Sequence, residues 1–324
     1  MLIKTFLAIA LLVLSTSSWA LEPAVQAAKD EGMRLWGISE WIEMQPYLEQ
    51  AADAGDVEAM YYLGEATRLL DRGLSQRAMA WYLQAAEQND VYAMLRLFQG
   101  GACIAGDVCP EEHEDWREAA LAIAKPQAEA GDPDAMLAMF HVYRMFDQPH
   151  WAGDWLERAA EAGQPEAQTI LGNQTLEGRG WYLTNGRRLS AAEEWLRKAV
   201  DQEHVPAMVA LTSVLEKEGE YSELWSWGER ASMLGSRIAR VVHGECLIVP
   251  ERAEYCRTEA DPVQGWAMLY AVVEETGDNT AKHILEQERS KLTLEELEEA
   301  KALAEREWIG REPPLSNFPP RFGY

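Results

Sequence analysis

The chain repeats itself, and an internal repeat narrows the possible folds more than any single motif can. The phrase Gly55-Asp56-Val57-Glu58-Ala59 returns as Asn89-Asp90-Val91-Tyr92-Ala93, as Gly131-Asp132-Pro133-Asp134-Ala135 and as Gly163-Gln164-Pro165-Glu166-Ala167. Weaker copies end on Ala207, Ala239 and Ala281, and the seven anchoring alanines are spaced by 34, 42, 32, 40, 32 and 42 residues. Four positions after each alanine stands Leu63, Leu97, Met139, Leu171, Leu211, His243 or Leu285. Eight positions before the residue that opens the phrase stands a large side chain: Tyr47, Trp81, Ile123, Trp155, Trp195, Trp227 or Leu269. Each unit therefore predicts two helices, with small residues allowing close approach and a large ring filling the gap beside them. Glycine ends the second helix because it takes a positive φ freely. Pairs that cannot bury their apolar faces alone must stack. The expected fold class is all-α, an α-solenoid of about seven helix-loop-helix units over residues 21–291.

Two phrases carry a likeness to a known family. Ala80-Trp81-Tyr82-Leu83-Gln84-Ala85-Ala86-Glu87-Gln88 and Glu194-Trp195-Leu196-Arg197-Lys198-Ala199 resemble the second helix of Sel-1-like repeats. Residues 59–64 and 167–172 resemble their first helix. The likeness runs over roughly residues 41–309 and is weakest in the last two units. It implies a relative of tetratricopeptide arrays with a variable inter-helix loop and a concave, partner-binding face.

A solenoid needs terminal caps. Residues 24–53 read as an incomplete leading unit. Thr293 with Glu296 forms a capping-box signature, so a capping helix is expected over 292–309. Residues 310–324, with Pro313, Pro314, Pro319 and Pro320, read as an extended tail, either frayed or packed back on the array. The long spacings place extra residues in loops on one side of the array. Both 42-residue units carry a cysteine pair in that stretch, Cys103 with Cys109 and Cys246 with Cys256. The correspondence favours a disulfide within each unit. A zinc site using His243 and Cys246 is the weaker alternative, since paired C-x-x-C spacing is missing. The 40-residue unit has no cysteine; its insertion carries Trp181 and Tyr182 among Arg179, Arg187 and Arg188.

Targeting signals precede the repeats. Lys4, the apolar run 6–14 and Ser18-Trp19-Ala20 predict a signal peptide over residues 1–20, cleaved before Leu21. No cysteine follows the run, so lipid attachment is not expected. An exported, periplasmic protein is the resulting expectation, and an oxidising compartment suits the disulfides.

Charge excludes some partners. Asp plus Glu is 54 against 29 for Lys plus Arg, a formal net charge of −25, which argues against nucleic acid and an anionic membrane surface, and no second apolar stretch approaches membrane length, so membrane insertion is not expected. Chemistry finds little support: the six histidines form no H-E-x-x-H, and no nucleophile elbow, P-loop or dinucleotide fingerprint occurs. Neither a cofactor nor a metal is expected. Aligning first helices by analogy with tetratricopeptide arrays places Tyr61, Glu65, Arg68, Tyr92, Gln99, His141, Arg144, Asn173, Glu177, Glu216 and Glu245 on the concave face. Of these, Tyr61, Arg68, Tyr92, His141, Arg144, Asn173 and Glu245, together with Trp181 and Tyr182, are the candidate partner-binding residues. The mixture suits a protein partner of basic or enzyme-like character, captured by a protein that is a monomer when free. Exported relatives of this kind include immunity proteins encoded beside toxic secreted phospholipases. The resemblance therefore implies an inhibitor that blocks such an effector in the setting of type VI secretion. The alternative is a periplasmic scaffold or regulator of envelope machinery or of a sensor domain, with a hydrolase as the outsider.

Overall fold

The computed structural model describes residues 21–105 and 108–323. The expected signal peptide therefore lies outside the described residues. Among them, every regular element is helical. A leading pair, α1 (Pro23–Gly37) and α2 (Gln45–Asp53), precedes seven units. These run as α3 (Val57–Leu70) with α4 (Gln76–Glu87), then α5 (Val91–Gln99), a short α6 (Ala102–Ala105) and α7 (Trp116–Glu129). Next come α8 (Pro133–Met145) with α9 (Pro149–Glu161), α10 (Pro165–Leu176) with α11 (Asn185–Val200), and α12 (Val205–Glu218) with α13 (Tyr221–Met233). The last two are α14 (Arg237–Ile248) with α15 (Pro262–Thr276) and α16 (Asn279–Gln287) with α17 (Leu294–Glu307). The helices pack chiefly on their sequence neighbours, and several also meet the matching helix of the next unit, which is the contact pattern of a solenoid.

The repeated phrase is a helix start. Asp56, Asp90, Asp132, Gln164, Ser236 and Asp278 are N-caps, and each accepts a hydrogen bond from the backbone N–H of the anchoring alanine at 2.6 to 3.3 Å. His204 stands at this place in the fifth unit and makes no such bond. The residue before each cap turns the chain through the left-handed region: Gly55, Asn89, Gly131, Gly163, Glu203, Gly235 and Gly277 all have positive φ. The anchoring alanines are buried in all seven units.

The filling of the inter-helix gap differs from expectation by one position. Trp81, Trp195 and Trp227 are only half-buried, and Tyr47 is exposed. In four units the next residue (Leu48, Tyr82, Leu156 or Leu196) is the fully buried one. The reason lies in the facing helix. A Cβ added at Gly64 would stand 2.6 Å from the Tyr82 ring, and one at Gly172 would stand 2.6 Å from Leu196. These mid-helix glycines let the second helix seat its side chain directly on the first.

The insertions lie where expected, after first helices, at residues 100–115, 177–184 and 249–261. Cys103 meets Cys109 and Cys246 meets Cys256 at disulfide distance, with Cα atoms 4.8 Å and 5.3 Å apart. In α17 both halves of the capping box form between Thr293 and Glu296. The residues beyond it pack back on the array, and Leu315 and Phe322 are buried.

Candidate functional site

The first helices of the units line one side of the array, and the C-terminal segment runs across it. At its start the segment adds a short strand-like contact. Ser316 donates its N–H to the Gly235 carbonyl at 2.8 Å, and the Ser316 carbonyl accepts from Arg237 at 3.1 Å. Asn317 donates its N–H to the Gly37 carbonyl at 2.7 Å. The same few residues thus join the leading pair to the sixth unit, so the array is curved enough for one peptide to touch both. The side the segment crosses is the inner face.

Further along, Arg321 and Phe322 are the anchors. Asp90 caps α5 with one carboxylate oxygen and pairs with Arg321 through the other. Burial pushes the Asp90 carboxyl above its ordinary value, while Arg321 and the cap N–H groups pull the other way. The guanidinium lies 5.3 Å from the Tyr61 ring centre and 5.0 Å from that of Tyr92. The Tyr61 hydroxyl donates to the Arg321 carbonyl. Phe322 lies 4.3 Å under the Arg96 guanidinium and 5.0 Å from the His141 ring. Arg96 is held in turn by Glu65, which is buried and also accepts from Tyr82 and Arg68.

Beside this plug lies a chamber of about 550 Å³ between α8, α10, α12 and the segment. His141, Arg144, Glu166, Asn173 and His204 border it. Burial pushes the imidazoles down, His141 to about 3 and His204 to about 4, so both are neutral. Burial, reinforced by Asp134, pushes the Glu166 carboxyl up to about 7. The His141 Nδ1 is buried without a hydrogen-bond partner.

The structure thus gathers Tyr61, Tyr92, His141, Arg144 and Asn173 around one region, but not as an open surface. Tyr61 and His141 are buried beneath the chain's own end, which is the correction to the expected free concave face. The physical reason is that an acidic, aromatic inner face satisfies itself with an internal arginine and ring. Arg68 is tied to Glu65 and Glu245 to Arg252, both at 2.9 Å, and neither is an anchor of the segment. Trp181 is 82% exposed in the loop between α10 and α11, with Tyr182 folded against Gly180. Ile104, in the short α6 between Cys103 and Cys109, is 93% exposed. Sequence reasoning missed Asp90, Arg96, Glu166, Arg321 and Phe322. A signal existed: Pro319-Pro320-Arg321-Phe322 is a pre-extended segment ending in two anchoring side chains.

Among the described residues, no group of three or more His, Cys, Asp or Glu side chains could hold a metal ion. No described helix is long and apolar enough to cross a membrane. No family model matches the chain, and no curated protein matches it. Among solved structures it is similar to a protective antigen present in uropathogenic Escherichia coli strains displaying an SLR fold. Identity is 21% over 87% of this chain and 60% of that one, with a TM-score of 0.49. The chain thus spans 60% of that antigen's length. It is also similar to a Sel1 repeat protein from Oxalobacter formigenes, at 17% identity over 81% of this chain and 99% of that one, with a TM-score of 0.38. The solenoid assignment rests on the chain's own contacts.

Proposed function

We propose that this chain is a non-enzymatic protein-binding solenoid of the Sel-1-like kind. Exported to the periplasm, it acts as an immunity protein that captures a basic or enzyme-like effector, such as a secreted phospholipase, and blocks it. One observation carries the binding reading. The inner face already holds an extended polypeptide, residues 315–322, by backbone hydrogen bonds, a carboxylate for its arginine and aromatic rings for its side chains. A surface that recognises one such strand has the chemistry to recognise a partner's. The excess of carboxylates favours a basic partner and speeds its encounter. The exposed Trp181 offers a rigid aromatic anchor outside the plugged face.

The test is capture from a periplasmic extract with the protein from Leu21 onward as bait. One basic protein recovered at near-equal stoichiometry supports the inhibitor reading. Arg144→Glu and Trp181→Ala are each expected to weaken its capture by about tenfold or more, the size of an interface hot spot. Unchanged capture in both variants removes these residues from the interface. A second reading, a periplasmic scaffold for envelope machinery, is favoured by exposed large apolar side chains in three different units, Ile104, Trp181 and Ile238. It predicts several weaker partners from the same extract.

A further inference from the structure

The chain's own tail shows how this acidic inner face handles a guanidinium. Arg321 meets a carboxylate, Asp90, and two aromatic rings, Tyr61 and Tyr92. A second place supplies the same ingredients, and no arginine among the described residues fills it. Between α12, α13 and α14 lies a groove of about 250 Å³. Trp225, Tyr255 and His243 give it aromatic walls, Ile238 and Val242 give it exposed aliphatic surface, and Glu216 and Glu229 stand on its lining.

Three observations mark this groove as unfilled. Glu216 and Glu229 make no salt bridge among the described residues, whereas the neighbouring Glu245 is already paired with Arg252. Trp225 stands edge-on to the His243 ring, with centroids 4.8 Å apart, which fixes the wall. His243 is more than nine-tenths buried, and its Nδ1 has no hydrogen-bond partner. The nearby cations are engaged elsewhere. Arg252 bridges Glu245 and Glu288, Arg257 lies over the Tyr221 ring, and Arg240 is buried against Trp308. Phe318 of the tail packs on the same apolar cluster as Val209 and Tyr255, but no tail residue lines the groove.

We infer that the groove between α12, α13 and α14 is a docking site for an arginine side chain presented by an extended basic segment of a partner protein. The stem of the arginine would lie along Ile238 and Val242, its plane against Trp225 or Tyr255, and its charge near Glu216 and Glu229. The inference rests on the partner-binding reading and specifies its chemistry.

The experiment uses the full mature chain and a synthetic peptide, acetyl-Ala-Arg-Ala-amide. The Trp225 indole N–H signal, assigned by its loss in Trp225→Phe, is followed by nuclear magnetic resonance as the peptide is added. The expected result is a saturable shift of that signal. Replacing the peptide's arginine by citrulline, which has the same shape and no charge, should weaken binding about tenfold or more. The Glu216→Gln/Glu229→Gln double variant should weaken it by about the same factor with an unchanged thermal midpoint. Equal binding of the citrulline peptide overturns the inference, and so does equal binding of a lysine peptide. So does a titration that moves the Tyr61 and Tyr92 signals and leaves Trp225 still. Peptide binding at Trp225 with no protein captured from the extract would overturn the partner reading alone. Capture with no peptide binding would overturn this site alone.

Discussion

At the residue scale, small polar and small apolar side chains do most of the specifying. The recurring aspartate is kept by its cap bond to an N–H two or three residues on, and the alanine by lack of room beneath it. Gly64 is the sharpest case. Gly64→Ala drives a methyl group into the Tyr82 ring and should lower stability by about 1–3 kcal/mol, read as a drop in thermal midpoint. Gly186, where an added Cβ would meet nothing within 4 Å, serves as the silent control. The buried imidazoles set a pH dependence. His141, His204 and His243 have values pushed by burial to about 3, 4 and 4. The unfolded chain takes up these protons near pH 6.5, and the folded chain refuses them until about pH 4. Stability is therefore lost as pH falls from about 7 toward 4. Glu166, held protonated up to about 7, and Asp90, whose carboxyl burial also raises, work in the opposite direction, but they are two buried carboxyls against three imidazoles. The thermal midpoint should fall between about pH 7 and about pH 4.5, and His141→Phe/His243→Phe should flatten the slope. A midpoint independent of pH in the parent protein would contradict the burial of these rings.

At the scale of the element, helices were legible because their signals are local. The cap, the turn and the apolar spacing all lie within a few residues of one another. The insertions were legible as positions but not as shapes. Loop 249–261 is pinned by Cys246–Cys256 and by Arg252, which reaches both Glu245 and Glu288. Replacing Cys246 and Cys256 together by serine should reduce stability by about 2–3 kcal/mol through the freed unfolded chain, and denaturant unfolding would read it. The fully buried position was misplaced by one residue in four of the second helices, while Leu269 is fully buried at the expected place. A helix rotates about 100° per residue, so only the facing helix decides which of two adjacent large residues points inward.

At the scale of the whole molecule, the C-terminal segment converts a row of pairs into a closed curve. Asn317 reaches Gly37 and Ser39, while Arg237 holds Asn317 from the sixth unit. Phe322→Ala removes a buried ring, a change worth about 3 kcal/mol or more, all of it lost from the docking of this segment. The helices do not depend on it. Circular dichroism should therefore be retained while small-angle scattering reports a larger radius of gyration and proteolysis begins after Arg321. A variant whose size and protease resistance match the parent would show that the segment does not restrain the array.

The sequence by itself determined the period, the pairing of helices within units, the cysteine partners and the places where loops lengthen. Each depends on residues close together in the chain or at matching places in successive repeats. The tertiary structure alone decided what covers the inner face. Tyr61 and Arg321 meet across 260 positions, and their meeting depends on the small rotation between successive units summed over the array. No local pattern records that sum, so the residues of the inner face could be named from the sequence, but not their occupant.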